Sequence, residues 1–455
     1  MQADTLITGA TIITMDARRR IIRDGAIAFS GDTIVAVDKA AALAGIEAAE
    51  VIDGSSFLLT PGLVNCHVHI TETLIRGFIP GDLPFDETLG RWVIPLYKDH
   101  TPAEQATAAK LAIAAMLRTG TTTFLEAGTI IAFDEVMAAI EDTGIRARIG
   151  RWTEDRAWDP ASDAEGLTRA ALAALRDDLA RYPQDGRRIA AWPNLIGHMT
   201  ATDALWRQAT DLAKRTGTGM SAHMSPVSGD SEWYLANTGR RAVEHLSDLG
   251  VLGEHLNLVH MVHIDSNEAD LVAASGTHVT HCPDASIRSG YGVMRRGLFP
   301  EMALAGVNIA LGTDGADNHD MLRVTALMAS LFRDAREDRS IFPAHEALEM
   351  ATLNGAKVLG LSDRIGALAV GMKADIVAHD TRRPEWRPLN NPVEQLIASA
   401  DGRSVHSVWI DGLRVVDDYR CTTMDEDALF EEAQAMAEAV LGRSGLPLVS
   451  EWPIE

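Results

Sequence analysis

Cysteine is scarce in this chain: Cys66, Cys282 and Cys421 are the only three among 455 residues. An odd count without a CxxC spacing argues against a disulfide framework, so the thiols are expected to be reduced. Cys66 and Cys282 adjoin His67 and His281, and neighbours on a strand point to opposite faces, so both cysteines are expected to serve packing. Basic residues are also few, 41 Lys and Arg against 64 Asp and Glu, a formal net charge of −23. Such a field repels nucleic acid and anionic membranes, and no local basic patch offsets it. The start, MQADTLITGATIITMD, lacks a basic segment leading into an unbroken apolar run, and nowhere do 18 apolar residues run together. Neither a signal peptide nor a membrane span is expected, which points to the cytoplasm. Low-complexity tracts are absent too, and 46% hydrophobic with 23% charged residues is a globular composition. The expected partner is a small molecule, not a nucleic acid or a membrane.

What is present changes texture along the chain. Residues 4 to 58 read as short β segments broken by Gly, Asp and Ser, and the same texture returns in KADIVAHD and SVHSVWIDGLRVVDD near the other end. Between them, apolar strands alternate with Ala-rich amphipathic helices, the rhythm of a parallel sheet. Eight strands are expected, at 63–70, 121–128, 145–152, 188–196, 219–224, 256–261, 277–283 and 308–314. Helical stretches intervene, such as PAEQATAAKLAIAAMLRTG, where Pro102 and Gly120 suit a start and a stop. The expected fold is therefore α/β: a (β/α)8 TIM barrel over 59–368, with a small β-sandwich domain built from 1–58 and 369–424. A C-terminal helix and tail would occupy 425–455.

Polar residues collect at one end of these strands. Strands 1, 5, 6, 7 and 8 finish in His67/His69, His223, His260, His281 and Asp314, the carboxyl ends where a barrel carries its active site. In His67-Val68-His69 the period of two puts both imidazoles on one face, a chelating pair. Three neutral imidazoles and one carboxylate suit Zn2+, Fe2+ or Co2+ better than Mg2+ or Ca2+, whose sites are richer in oxygen.

Several stretches carry a family resemblance: PGLVNCHVH, RTGTTTF, LVHMVHIDSNEADLVAASGTHVTHCP, GVNIALGTDGADNHDML, ATLNGAKVLG and IGALAVGMKADIVAHD. In this order, over about residues 4 to 418, they resemble the ATZ/TRZ branch of the amidohydrolase superfamily. That branch includes triazine hydrolases and aminopurine, cytosine and guanine deaminases. The resemblance implies one divalent metal, Zn2+ foremost, on His67, His69, His223 and Asp314. It implies Asp314 as general base, His260 as the proton-shuttling histidine and His198 as a substrate contact, and it implies a symmetric homo-oligomer.

One departure matters. Deaminases of the branch usually carry H-x-x-E after strand 5, the Glu serving the ring nitrogen of the substrate. Here the run is His223-Met224-Ser225-Pro226, and Asp230 or Glu232 could substitute only if the loop folds back. Hydrolysis of a urea, carbamate or amide needs no ring protonation, so that class is the first expectation. The alternative is a deaminase or chlorohydrolase of a triazine, purine or pyrimidine; a metal-free binding relative is a third reading, set against the intact ligand positions. Substrate contacts are expected from His198, His281, Trp92 and Trp233. The long segments 71–100 and 225–245, with Phe78, Phe85, Trp92, Trp233 and Tyr234, would shape the pocket, although packing a lid is the competing role of such aromatics.

Overall fold

The computed structural model describes residues 2–156, 163–450 and 452–453. It is a mixed α/β structure. Eight parallel strand segments recur where the sequence pattern expects them: Leu63–Val68, Thr121–Glu126, Arg146–Ile149 with Trp152–Thr153, Ile189–Ala191 with Asn194–Gly197, Met220–Met224, Leu256–His260, His278–His281 and Ile309–Leu311. Each pairs with the next in sequence. The first and last are joined by the Val68–Asp314 bridge. Across that seam the Asp314 N–H donates to the His67 carbonyl at 2.9 Å, and the His69 N–H donates to the Asp314 carbonyl at 3.2 Å. Backbone hydrogen bonds therefore run around the whole ring.

The third and fourth strands differ from the expected unbroken runs. Each is split, at Gly150-Arg151 and at Trp192-Pro193, because Pro193 has no N–H to donate and the two chains press together there. A Cβ on Gly150 would lie 2.2 Å from the Trp192 carbonyl oxygen, so only glycine fits. The Trp192 N–H still reaches the Ile149 carbonyl at 2.7 Å and keeps the two strands paired.

Both ends of the chain build one nine-stranded sheet. Gln2–Ile13, Ile21–Ser30, Thr33–Lys39, Glu47–Asp53 and Phe57–Pro61 are joined to Ile376–Asp380, Val405–Ile410, Leu413–Asp417 and Arg420–Cys421 through the antiparallel pairing of Phe57–Pro61 with Ile376–Asp380. Its apolar face includes Ile7, Ile27, Phe29, Leu59, Ile376 and Trp409, all buried together. The helix Pro102–Arg118 begins with a capping box in which the Thr101 hydroxyl accepts from the Glu104 N–H and Glu104 accepts from the Thr101 N–H. The C-terminal helix Glu426–Ser444 packs on it and on the turn Ile70–Ile75, through Leu74, Ala108 and Ala433. Arg443 adds an ion pair to Glu104 at 2.8 Å. No helix among the described residues is long and apolar enough to cross a membrane, and the three cysteines are free and buried.

Candidate metal centre and active site

The carboxyl ends of the ring converge on one cavity of about 440 Å3. His67 lies one residue before the end of the first strand and His69 follows the strand. His223 comes from the fifth, His260 from the sixth, and Asp314 from the segment just after the eighth. The Asp314 Oδ1 lies 3.3 Å from His67 Nε2 and 3.2 Å from His69 Nε2, while His69 Nε2 and His223 Nε2 approach to 3.5 Å. The backbone comes close here as well, since a Cβ on Gly312 would meet the His67 Cβ at 2.7 Å.

Burial favours the neutral form of His67 and His223 that ligation requires, whereas His69 must give up a proton to bind a metal. His223 Nδ1 faces the Ile196 carbonyl at 2.9 Å, which fixes its proton there and leaves Nε2 for the cluster. His67 Nε2 is buried with no hydrogen-bond partner among the described residues. Burial and the neighbouring imidazoles hold His223 well below the usual histidine range, and burial pushes His260 down to about 3. Burial opposes ionisation of Asp314, but the His67 and His69 ring nitrogens at 3.3 and 3.2 Å from its Oδ1 outweigh it and hold the carboxyl well below the usual range. Burial would also lower His69, yet the carboxylates of Glu72, Asp314 and Glu126 carry it up to about 9. Three imidazoles and one carboxylate gathered together, with His67 Nε2 unpaired among the described residues, fit a divalent transition metal.

The backbone is strained around the same point. His198, Ser225, His260 and Asp314 all have positive φ, at 48°, 52°, 77° and 68°. Three of them, His198, His260 and Asp314, line the cavity, and such a concentration of left-handed non-glycine residues is a signature of a functional site.

Of the expected substrate contacts, His198 lines the cavity. The other three do not. His281 is 0% exposed and stacks on Phe299 with ring centroids 3.9 Å apart, so it belongs to the core behind the strand. Alternation along the strand then turns Cys282 inward, where its sulfur joins His67 and Asp314 within 4.8 Å, against the expectation that it only packs. Trp92 is 3% exposed and packs on Phe78 beneath the covering loop. Trp233 packs edge-to-face with Tyr234 and under Arg156, away from the cavity. Of the loop aromatics, Phe85 does face it, with Tyr291 and Trp152.

Glu72 is the residue that the sequence reading missed. It sits on the 3-10 turn Ile70–Ile75, lines the cavity, and its Oε1 is 3.6 Å from His69 Nδ1. No donor among the described residues hydrogen-bonds its carboxylate, unlike Glu126, which accepts from the Ile70, Gly128 and Thr129 N–H groups. Burial, with the charges of Asp314, Glu126 and Asp317 and against that of His69, pushes the Glu72 carboxyl up to about 7.

A model of the amidohydrolase family matches residues 58–415. The chain belongs to the amidohydrolase family. It is 32% identical over 445 residues to the 5-methylthioadenosine/S-adenosylhomocysteine deaminase of Syntrophobacter fumaroxidans, covering 96% of this chain and 99% of that one. A zinc-bound adenosine deaminase from Xanthomonas campestris superposes with a TM-score of 0.88 at 30% identity, over 97% of this chain and 99% of that chain. The zinc complex of atrazine chlorohydrolase TrzN from Arthrobacter aurescens shares the fold at a TM-score of 0.87 and 22% identity, over 95% and 100% of the two chains. This amidohydrolase is thus a metal-dependent hydrolase acting on C–N bonds, akin to the aminoheterocycle deaminases of the ATZ/TRZ branch. The expected lean to ureas and carbamates finds no support among these relatives; the deaminase alternative fits them better.

Proposed function

We propose that this amidohydrolase deaminates an adenine-type nucleoside, exchanging the exocyclic amine for oxygen with release of ammonia, and that Zn2+ is its metal. Glu72 carries the reading. Water attack on an amino-substituted ring carbon calls for a proton at a ring nitrogen besides the one for the departing amine, so two acid–base groups are needed. Hydrolysis of a urea needs Asp314 alone, and Glu72 would then be idle. Pro226 removes the usual acid, and Glu72 is the carboxylate that faces the same cavity without a protein donor. Full-length similarity to deaminases of adenine nucleosides supports the same choice.

A divalent metal on His67, His69, His223 and Asp314 would supply a water whose pKa falls from 15.7 toward about 7. Asp314 takes the proton of the attacking water and returns it to the leaving amine. His260, facing the same centre, stabilises the charge that develops on the attacked carbon's substituents. Glu72 protonates the ring nitrogen and takes back the proton of the added hydroxyl as the carbonyl forms, so that ring C–NH2 and water become ring C=O and NH3. The apolar wall of Ile75, Ile79, Leu83 and Phe85 suits a 5′ substituent of low polarity. In this reading residues 59–368 are a (β/α)8 barrel, 1–58 and 369–424 its small β-sandwich domain, and 425–455 a bracing helix and tail.

A substrate panel tests the proposal on zinc-loaded protein. Ammonia is expected from 5′-methylthioadenosine and related adenosines, with little amine from N-aryl ureas or carbamates. Amine release from the ureas, with no ammonia from any purine, would overturn it.

A further inference from the structure

The loop that lost its acid at Pro226 is not without a carboxylate. The helix Gly229–Thr238 follows it directly, and two residues one turn apart on that helix grip a single residue just past the end of the fourth strand. Asp230 Oδ2 lies 2.8 Å from His198 Nδ1 and also accepts from the Ser225 N–H at 2.6 Å. The Tyr234 hydroxyl donates to the His198 carbonyl at 2.8 Å. Asp230 is 3% exposed, and its carboxylate belongs to the first turn of its helix, where the helix dipole favours negative charge.

We propose that Asp230 is a positioning residue that fixes both the tautomer and the orientation of His198, so that Nε2 is presented to the substrate as a preset hydrogen-bonding group. A carboxylate can only accept, so the proton at that ring position sits on Nδ1. The opposite nitrogen, Nε2, makes no hydrogen bond among the described residues while the ring lines the cavity. The ring is further held by stacking on His223, with centroids 5.6 Å apart at 25°, and by the edge of Phe85 at 6.5 Å. The positive φ of both His198 and Ser225 is what brings these two chain segments onto one carboxylate oxygen. The group that meets Nε2 is a heteroatom of the nucleoside, either a ring nitrogen or a sugar hydroxyl; this part rests on the deaminase reading, whereas the fixed tautomer does not.

The test uses Asp230→Ala and Asp230→Asn in the zinc-loaded full chain, with metal content measured for each. Asparagine can still offer one carbonyl oxygen to both the Ser225 N–H and His198 Nδ1, so it should restore most of the function. Alanine frees the ring, and misplacing a substrate-binding group by about 1 Å costs on the order of 100-fold in kcat/KM. NMR of 15N-histidine-labelled protein without substrate should show His198 protonated at Nδ1 in the parent and in Asp230→Asn, and averaged between tautomers in Asp230→Ala. Normal kcat/KM in Asp230→Ala with an unchanged His198 signature would overturn the proposal. So would an equal loss in Asp230→Asn with the tautomer intact, since that would assign the role to charge. Because the tautomer is read with no substrate present, failure of the deaminase reading leaves this result standing on its own.

Discussion

Replacing Arg146 by methionine should destabilise the protein by about 3–5 kcal/mol, because it strands a buried carboxylate. Arg146 is the first residue of the third strand, Arg146–Ile149, at the end away from the cavity, and ties that strand to the sheet made by the chain ends. Its Nη2 is 3.1 Å from Asp375 Oδ1 and 2.5 Å from Asp411 Oδ1. The side chains of Arg146 and Asp375 are only 4% and 3% exposed. Burial pushes the Asp375 carboxyl up even with Arg146 beside it, while the two carboxylates raise Arg146 itself. The two directions agree on one point: the guanidinium is what keeps Asp375 ionised. Without it Asp375 retains one donor among the described residues, the Asp411 N–H at 2.9 Å. Asp411, at 25% side-chain exposure, can turn to water, so the cost falls on Asp375. Adding Asp375→Asn removes the uncompensated charge and should bring the loss to within about 2 kcal/mol of the parent.

Urea unfolding of metal-loaded protein is the suitable assay. With an unfolding entropy of about 2.1 cal/mol/K per residue, a chain this long shifts its melting point only about 1 °C per kcal/mol. Turnover of the folded fraction should stay normal, since the strand ends that line the cavity are untouched. A single-variant cost below about 1 kcal/mol, or a double variant no better than the single, would refute this account of the contact.

Glu72→Gln should retain its metal while turnover falls by about 10²- to 10⁴-fold, the range for loss of a general acid; turnover within about 3-fold of the parent would remove Glu72 from the mechanism. Acid should weaken the fold through histidines buried in the neutral state. His379, between Thr60 Oγ1 at 3.3 Å and Ser404 Oγ at 3.2 Å, is pushed by burial to about 3. A base depressed below its unfolded value of about 6.5 contributes stability that is complete above that pH and is lost as pH falls toward 3. His379 alone accounts for up to about 3 kcal/mol between pH 6.5 and 4, so denaturant titrations of His379→Gln should show a flatter dependence in that window; an unchanged slope would refute the assignment.

The gathering of the candidate metal ligands was legible because its signal is regular. His67-Val68-His69 obeys the strand period, and His223, His260 and Asp314 fall at strand ends that apolar runs announce. Glu72 escaped because it lies on a 3-10 turn beyond the first strand, where no period relates it to His69 and only the path of the loop brings it into the cavity. The same limit applies to Trp92 and Trp233: an aromatic in a covering segment reads alike whether it faces substrate or packs beneath. His281 and Cys282 show a subtler failure. Alternation says that they face opposite ways, but which one faces inward depends on register within the ring, and the histidine was taken for the inward one. Asp230 was visible as a distant substitute for the missing acid; its contact with His198 depends on two left-handed residues that no local pattern encodes.

One titration tests metal-dependent deamination most directly. Metal-free protein supplied with increasing Zn2+ should gain ammonia-releasing activity on 5′-methylthioadenosine in proportion to bound metal, reaching a plateau near one equivalent per chain. Protein that binds one equivalent of Zn2+ and releases no ammonia from any adenine nucleoside, or that deaminates fully without metal, would contradict it.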